Sequence, residues 1–180
     1  MDPWDIIKKY YKSGSQSYHH LTTHSQAVAS KALDIARNCP HKVDIDFIHD
    51  AAMLHDIGIF MTYAPQIGCH GSHSYICHGW MGGKILRQEK HPKLARACER
   101  HIGVGLEISD IKEQKLPLPL KDMSPKTKEE EIVSLADLFF SKNSSSPTVE
   151  KNIDDIKTGL EKFGQHKKEK FLHWLQKYKV

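Results

Sequence analysis

Two stretches repeat their apolar residues at the helical period and place a histidine inside the same stripe. In HHLTTHSQAVASKALDIAR, residues 19–37, the shared face carries Leu21, His24, Val28 and Ile35; in DFIHDAAMLHD, residues 46–56, it carries Ile48, Ala51, Ala52 and His55. Such a period must bury helical faces against one another, because an amphipathic helix owes most of its stability to tertiary packing. Asp46 is the expected N-cap of the second helix and Gly58 its stop. The same spacing predicts helices over 79–89, 92–102, 128–142, 148–163 and 166–178, and no segment alternates as a half-buried strand does. The expected fold class is all-α.

At 180 residues the chain is long enough to bury a core without disulfides, and one domain over 1–180 is expected. Its four cysteines form no CxxC pair, MDPWDIIKKYYK does not read as a signal peptide, and no run is apolar enough to span a membrane. The chain therefore reads as a cytoplasmic protein with reduced thiols and no membrane partner. Two connections are long. Residues 58–77 hold three Gly and two His, and residues 103–127 include PLPLKDMSP, whose prolines forbid a continuous helix.

The net charge of +4 resides in residues 151–180, where eight Lys face four Asp or Glu. A basic tail invites a nucleic-acid reading. KFGQHKKEKFLHWLQKY nevertheless spaces Phe163, Phe171, Trp174, Leu175 and Tyr178 as an amphipathic helix does, so the lysines read as its solvated face and no nucleic-acid partner is expected.

Thirteen histidines are a surplus, and those on apolar stripes matter most. They are His24, His55, His78 at the head of a helix continuing through Met81, Ile85 and Leu86, and His101 at the end of one running Leu94, Ala97, Cys98. Asp137 shares the stripe Val133, Ala136, Phe140 in EEEIVSLADLFF. Any single core histidine is explained by an ordinary hydrogen bond. A carboxylate in such company must be paired or metal-bound, since burying it alone costs several kcal/mol. Taken together, imidazoles and carboxylates suit cations of intermediate hardness.

The order H…HD…H…H…D resembles the HD superfamily of metal-dependent phosphohydrolases in its HDIG form. The matching residues are His24, His55-Asp56 in LHDIG, His78 in HGWMGGKIL, His101 in ERHIGVGL and Asp137 in IVSLADLFF, over about residues 19–143. The resemblance implies an HD-domain helical bundle carrying two additional C-terminal helices over about 148–180. It also implies divalent cations, two on the family pattern, of identity open among Fe, Mn, Co, Ni, Zn and Mg. His24, His55, Asp56 and Asp137 would form one site. Asp56, the catalytic bridge that positions the nucleophilic water, would share a second with His78 and His101. Two cations about 3.5–4 Å apart can polarise a phosphoryl oxygen and supply hydroxide near neutral pH. The implied substrate is a small phosphorylated metabolite or nucleotide.

Lys84, Arg87 and Lys142 are candidate phosphate contacts, and His70 and His73 candidate proton donors to the leaving group, beside their plain reading as solvated side chains. His20, one turn before His24, is a weaker ligand candidate. The chain lacks the HDxxED of guanosine-tetraphosphate hydrolases, the GYP triplet of cyclic di-GMP phosphodiesterases, and the Arg that precedes the first His in diadenosine tetraphosphate hydrolases. Two alternatives use the same ligands: an HD-type di-iron oxygenase, and a binding module that retains metal without catalysis. Oligomeric state is open.

Overall fold

A computed structural model of the protein describes residues 1–141 and 148–180. Among them are nine α-helices: α1 (Pro3–Tyr10), α2 (Gln16–Asn38), α3 (Ile45–Leu54), α4 (His78–Gln88), α5 (Pro92–Arg100), α6 (Ile108–Glu113), α7 (Lys128–Leu138), α8 (Ile153–Glu161) and α9 (Gln165–Tyr178). The expected all-α class holds, with one addition: β1 (Tyr63–Ala64) and β2 (Cys69–His70) pair antiparallel as a minimal hairpin inside the 58–77 connection.

The helices begin where short polar side chains can satisfy their first amides. Ser15 caps α2 through the amide of Tyr18, and Thr127 caps α7 ahead of Glu129, Glu130 and Glu131, whose charges suit the positive end of the helix dipole. The cap of α3 is Asp44, which accepts from the amide of Phe47 at 3.0 Å, rather than the expected Asp46, which stands in the first turn. Asp2 and Pro3 start α1, a helix the apolar pattern alone did not predict, and it buries Ile6 and Ile7.

The long helix α2 packs on α3 and α7, and α4 packs on α5. Leu21, Val28, Ile48, Leu54, Leu86, Ile132 and Phe139 meet in one continuous core. The helix α9 lies against α7 and α2 and extends that core with Phe171, Trp174 and Tyr178. Phe163 departs from the expected stripe: it falls between α8 and α9 and is 58% exposed. The 103–127 connection is not wholly irregular either, since α6 forms just ahead of the prolines.

The helix α3 stops at Leu54, four residues before the expected stop at Gly58. The φ of Gly58 is an ordinary −88°, so the residue is not there to permit a left-handed turn. It permits a close approach instead: a β-carbon would lie 2.3 Å from the carbonyl oxygen of His78 and 2.4 Å from the amide of Gly82. Only a bare backbone lets α4 cross the turn that follows α3.

Candidate metal centre

That crossing gathers six side chains from five helical segments. His24 sits mid-way along α2, His55 and Asp56 occupy the turn after α3, His78 opens α4, His101 follows α5, and Asp137 lies near the end of α7. All six are buried.

Their donor atoms fall into two groups that share one carboxylate. On one side, Nε2 of His24 is 3.0 Å from Oδ1 of Asp137 and 3.3 Å from Nε2 of His55. Oδ2 of Asp56 is 3.6 Å from both imidazoles. On the other side, Nε2 of His78 and of His101 are 3.0 Å apart and lie 3.1 and 3.3 Å from Oδ1 of Asp56. Each oxygen of Asp56 thus belongs to a different histidine pair. The groups are close: His55, Asp56 and His101 also offer atoms within 4.8 Å of one another, as do His24, His55 and Asp137.

Three imidazoles are oriented by the backbone. Nδ1 of His55, His78 and His101 meets the carbonyl oxygen of the residue three before it, Ala52, Tyr75 and Cys98, at 2.6, 2.6 and 2.7 Å. A carbonyl can only accept, so the network assigns the proton to Nδ1 and leaves the Nε2 lone pair facing the centre. Two such lone pairs at 3.0 Å, as in His78 and His101, repel unless a proton or a cation lies between them. The donor set therefore fits divalent cations, with the ring orientation metal-binding histidines require. His24 has no such Nδ1 anchor among the described residues; its ring stacks on that of His20, 6.3 Å away.

Further contacts hold the ligand-bearing segments in place. The Tyr11 hydroxyl donates to the carbonyl of Ile57 at 2.8 Å, tying the chain after α1 to the turn that bears Asp56. The Cys98 thiol donates to the carbonyl of His55 at 2.9 Å. Arg100 donates to buried Glu130 at 2.9 Å, joining the helix that ends at His101 to the one that carries Asp137. The sequence pattern missed these three, because a helical stripe identifies apolar faces and not the polar partners that cross between helices.

The remaining candidates do not belong to the two groups of converging donors among the described residues. His70 is exposed on β2, paired with Tyr63, and His73 lies half-buried just beyond it on the way to His78. Lys84 is exposed, its ammonium 5.5 Å from the centre of the Trp80 ring. Arg87 is engaged by Glu99, which is 1% exposed and also accepts from Lys121 at 3.1 Å. Lys142 lies outside the described residues.

The chain matches the HD domain family over residues 21–140. It is 36% identical to an uncharacterized protein of Methanocaldococcus jannaschii over 79% of this chain and 76% of the relative. It is 31% identical to a tRNA (cytidine(56)-2'-O)-methyltransferase of Thermoplasma volcanium, over 77% of this chain but 36% of that protein. A methyltransferase of the same name from Picrophilus torridus is 35% identical over 65% of this chain and 30% of its own length. The chain thus spans about a third of those two enzymes. Among solved structures, the HD domain of the L. monocytogenes phosphodiesterase PgpH shares the fold, with a TM-score of 0.52 and 18% identity over 96% of this chain and 87% of that one.

Proposed function

This chain belongs to the HD domain family, and from that premise we propose that it is a metal-dependent phosphohydrolase, a phosphomonoesterase or phosphodiesterase acting on a small phosphorylated metabolite or nucleotide. The observation that carries the reading is the division of Asp56 between two histidine pairs. In this reading His24, His55, Asp56 and Asp137 hold one cation, and Asp56, His78 and His101 hold a second. When bound, the cations supply Lewis acidity toward a phosphoryl oxygen and hydroxide near neutral pH.

The chain's own residues do the rest. The backbone carbonyls that accept from three imidazoles fix the direction and basicity of their Nε2 atoms. The Asp56 carboxylate would contribute one oxygen to each site. His70 or His73 would protonate the departing oxygen, and Lys84 would meet the phosphate. Methyl transfer, named for two relatives, is not proposed: a cluster of four imidazoles and two carboxylates suits cations, and the likeness covers about a third of those enzymes.

The test is anaerobic purification with metal analysis, followed by parallel assays of phosphate release and oxygen uptake over a panel of phosphate esters. Phosphate release without oxygen consumption supports the hydrolase. Substrate-dependent oxygen uptake replaces it with a di-iron oxygenase, and a metal-loaded protein silent in both assays replaces it with a binding module.

A further inference from the structure

A cavity of about 340 Å³ takes part of its wall from chain neighbours of three candidate ligands, although none of the six ligands lines it. Ile76 lies two residues before His78, Ile102 follows His101, and Leu138 follows Asp137. The Ile102 side chain is also near the His101 ring: a β-carbon at Gly79 would lie 3.4 Å from Cε1 of His101 and 3.5 Å from Cδ1 of Ile102. The opposite wall is α8, with Ile156, Gly159 and Leu160. The two buried charged side chains that line the cavity, on α9 and α6, are matched to each other: Lys167 bonds to Asp110 and donates to the carbonyl of Gly105 at 3.0 Å. The volume is at the lower end of the range for small-molecule sites. The residues from α8 lie beyond the stretch matched to the HD family, which ends at residue 140. This wall therefore comes from the C-terminal segment, outside the matched HD stretch.

Resting on the phosphohydrolase reading, we infer that this cavity receives the organic part of the substrate and selects phosphate esters in which that part is apolar, an alkyl or aryl group. A phosphate at the cations places the group bonded to it beside Ile102 and Leu138, with α8 beyond. The buried ion pair of Lys167 and Asp110 is self-satisfied, which leaves Gln114, Lys151 and Asp155 as the other polar side chains of the lining, against an otherwise apolar wall of Ile, Leu, Val and Phe.

Gly159 provides the test. It lines the cavity, and a β-carbon built there meets no heavy atom within 4 Å, so a side chain starts into open space. Binding of ethyl-, butyl-, hexyl- and octylphosphonic acid to the metal-loaded full-length protein is measured by calorimetry, for the wild type, Gly159→Phe and Gly159→Leu, with circular dichroism and metal analysis of each. The wild type should tighten about fourfold per methylene until the cavity fills. Gly159→Phe should reduce the series to the affinity of ethylphosphonate, and Gly159→Leu should cut it short at an intermediate chain length, all with metal content retained. A flat series in the wild type, a gain that both variants leave intact, or adenosine 5'-monophosphate binding more tightly than octylphosphonate would overturn the inference. Phosphate release from the matching alkyl phosphates separates the two claims. Chain-length-dependent binding without release would refute the hydrolase and keep the cavity; release indifferent to chain length would do the reverse.

Discussion

The hydroxyl of Tyr11 donates to the carbonyl of Ile57 at 2.8 Å and accepts from the amide of Phe60 at 3.3 Å. Tyr11 is buried, and these bonds cross the turn whose first residues are His55 and Asp56. Tyr11→Phe keeps the ring and leaves a buried carbonyl without its donor, a loss of about 1–3 kcal/mol. We expect the melting temperature to fall by several degrees and metal affinity to weaken with it. A variant with unchanged stability and unchanged metal affinity would show that the turn is held by packing alone.

Glu99 is the one acid on α5 that is fully buried, and burial pushes its carboxyl up. The hydrogen bonds from Arg87 and Lys121 outweigh that and hold it below its ordinary 4.5. A carboxylate held below its unfolded value contributes stability that is present above that value and lost as pH falls through the folded one. Denaturant melts below pH 4.5 should therefore show an acid-sensitive component that Glu99→Gln flattens. Because Arg87 serves this carboxylate, Arg87→Ala should lower stability while KM stays near wild type. A raised KM at unchanged stability would make Arg87 a phosphate contact instead.

Several lysines of the C-terminal segment are paired within the molecule. Lys167 is buried against Asp110, Lys168 bonds to Glu161 at 2.6 Å, and Lys177 bonds to Glu131 at 2.6 Å. Generic DNA or RNA should bind no tighter than the micromolar range in moderate salt. Submicromolar affinity that falls steeply with salt in a filter-binding or fluorescence assay would reverse the expectation.

The sequence exposed the helices and the six converging side chains because both depend on periodicity. His24, His55 and Asp137 stand out as polar residues on otherwise apolar stripes, and burying those stripes carries them inward. Features without a period were hidden. The hairpin of two-residue strands is too short to alternate, and α6, at six residues, is too short to repeat a face. Gly58 was legible as a break, but its reason, the backbone of α4 at 2.3 Å, belongs to the tertiary fold. The helix α1 could have been found from Asp2-Pro3, a cap followed by the residue best suited to a first turn. The cavity beside α8 leaves no mark on the sequence, because its residues come from four separate stretches, 76, 102–116, 138 and 151–167.

The connection between α3 and α4 gives a separate prediction. His70 is exposed and His73 half-buried, and neither is among the six clustered donors. Replacing both with Ala should lower turnover by about 10²-fold or more if one is the proton donor, with metal content near wild type. Loss of one metal equivalent in the double variant would instead make one of them a ligand.

Asp56 links the two donor groups: its Oδ1 faces His78 and His101 while its Oδ2 faces His24 and His55. Metal titration of four variants by calorimetry with elemental analysis tests it directly. Asp56→Ala should empty or badly weaken both sites. His78→Ala and His101→Ala should spare the site of His24, His55 and Asp137 while losing most of the other, and Asp137→Ala should show the opposite preference. Equal loss in all four variants, or full metal content in Asp56→Ala, would contradict a carboxylate-bridged pair of cations.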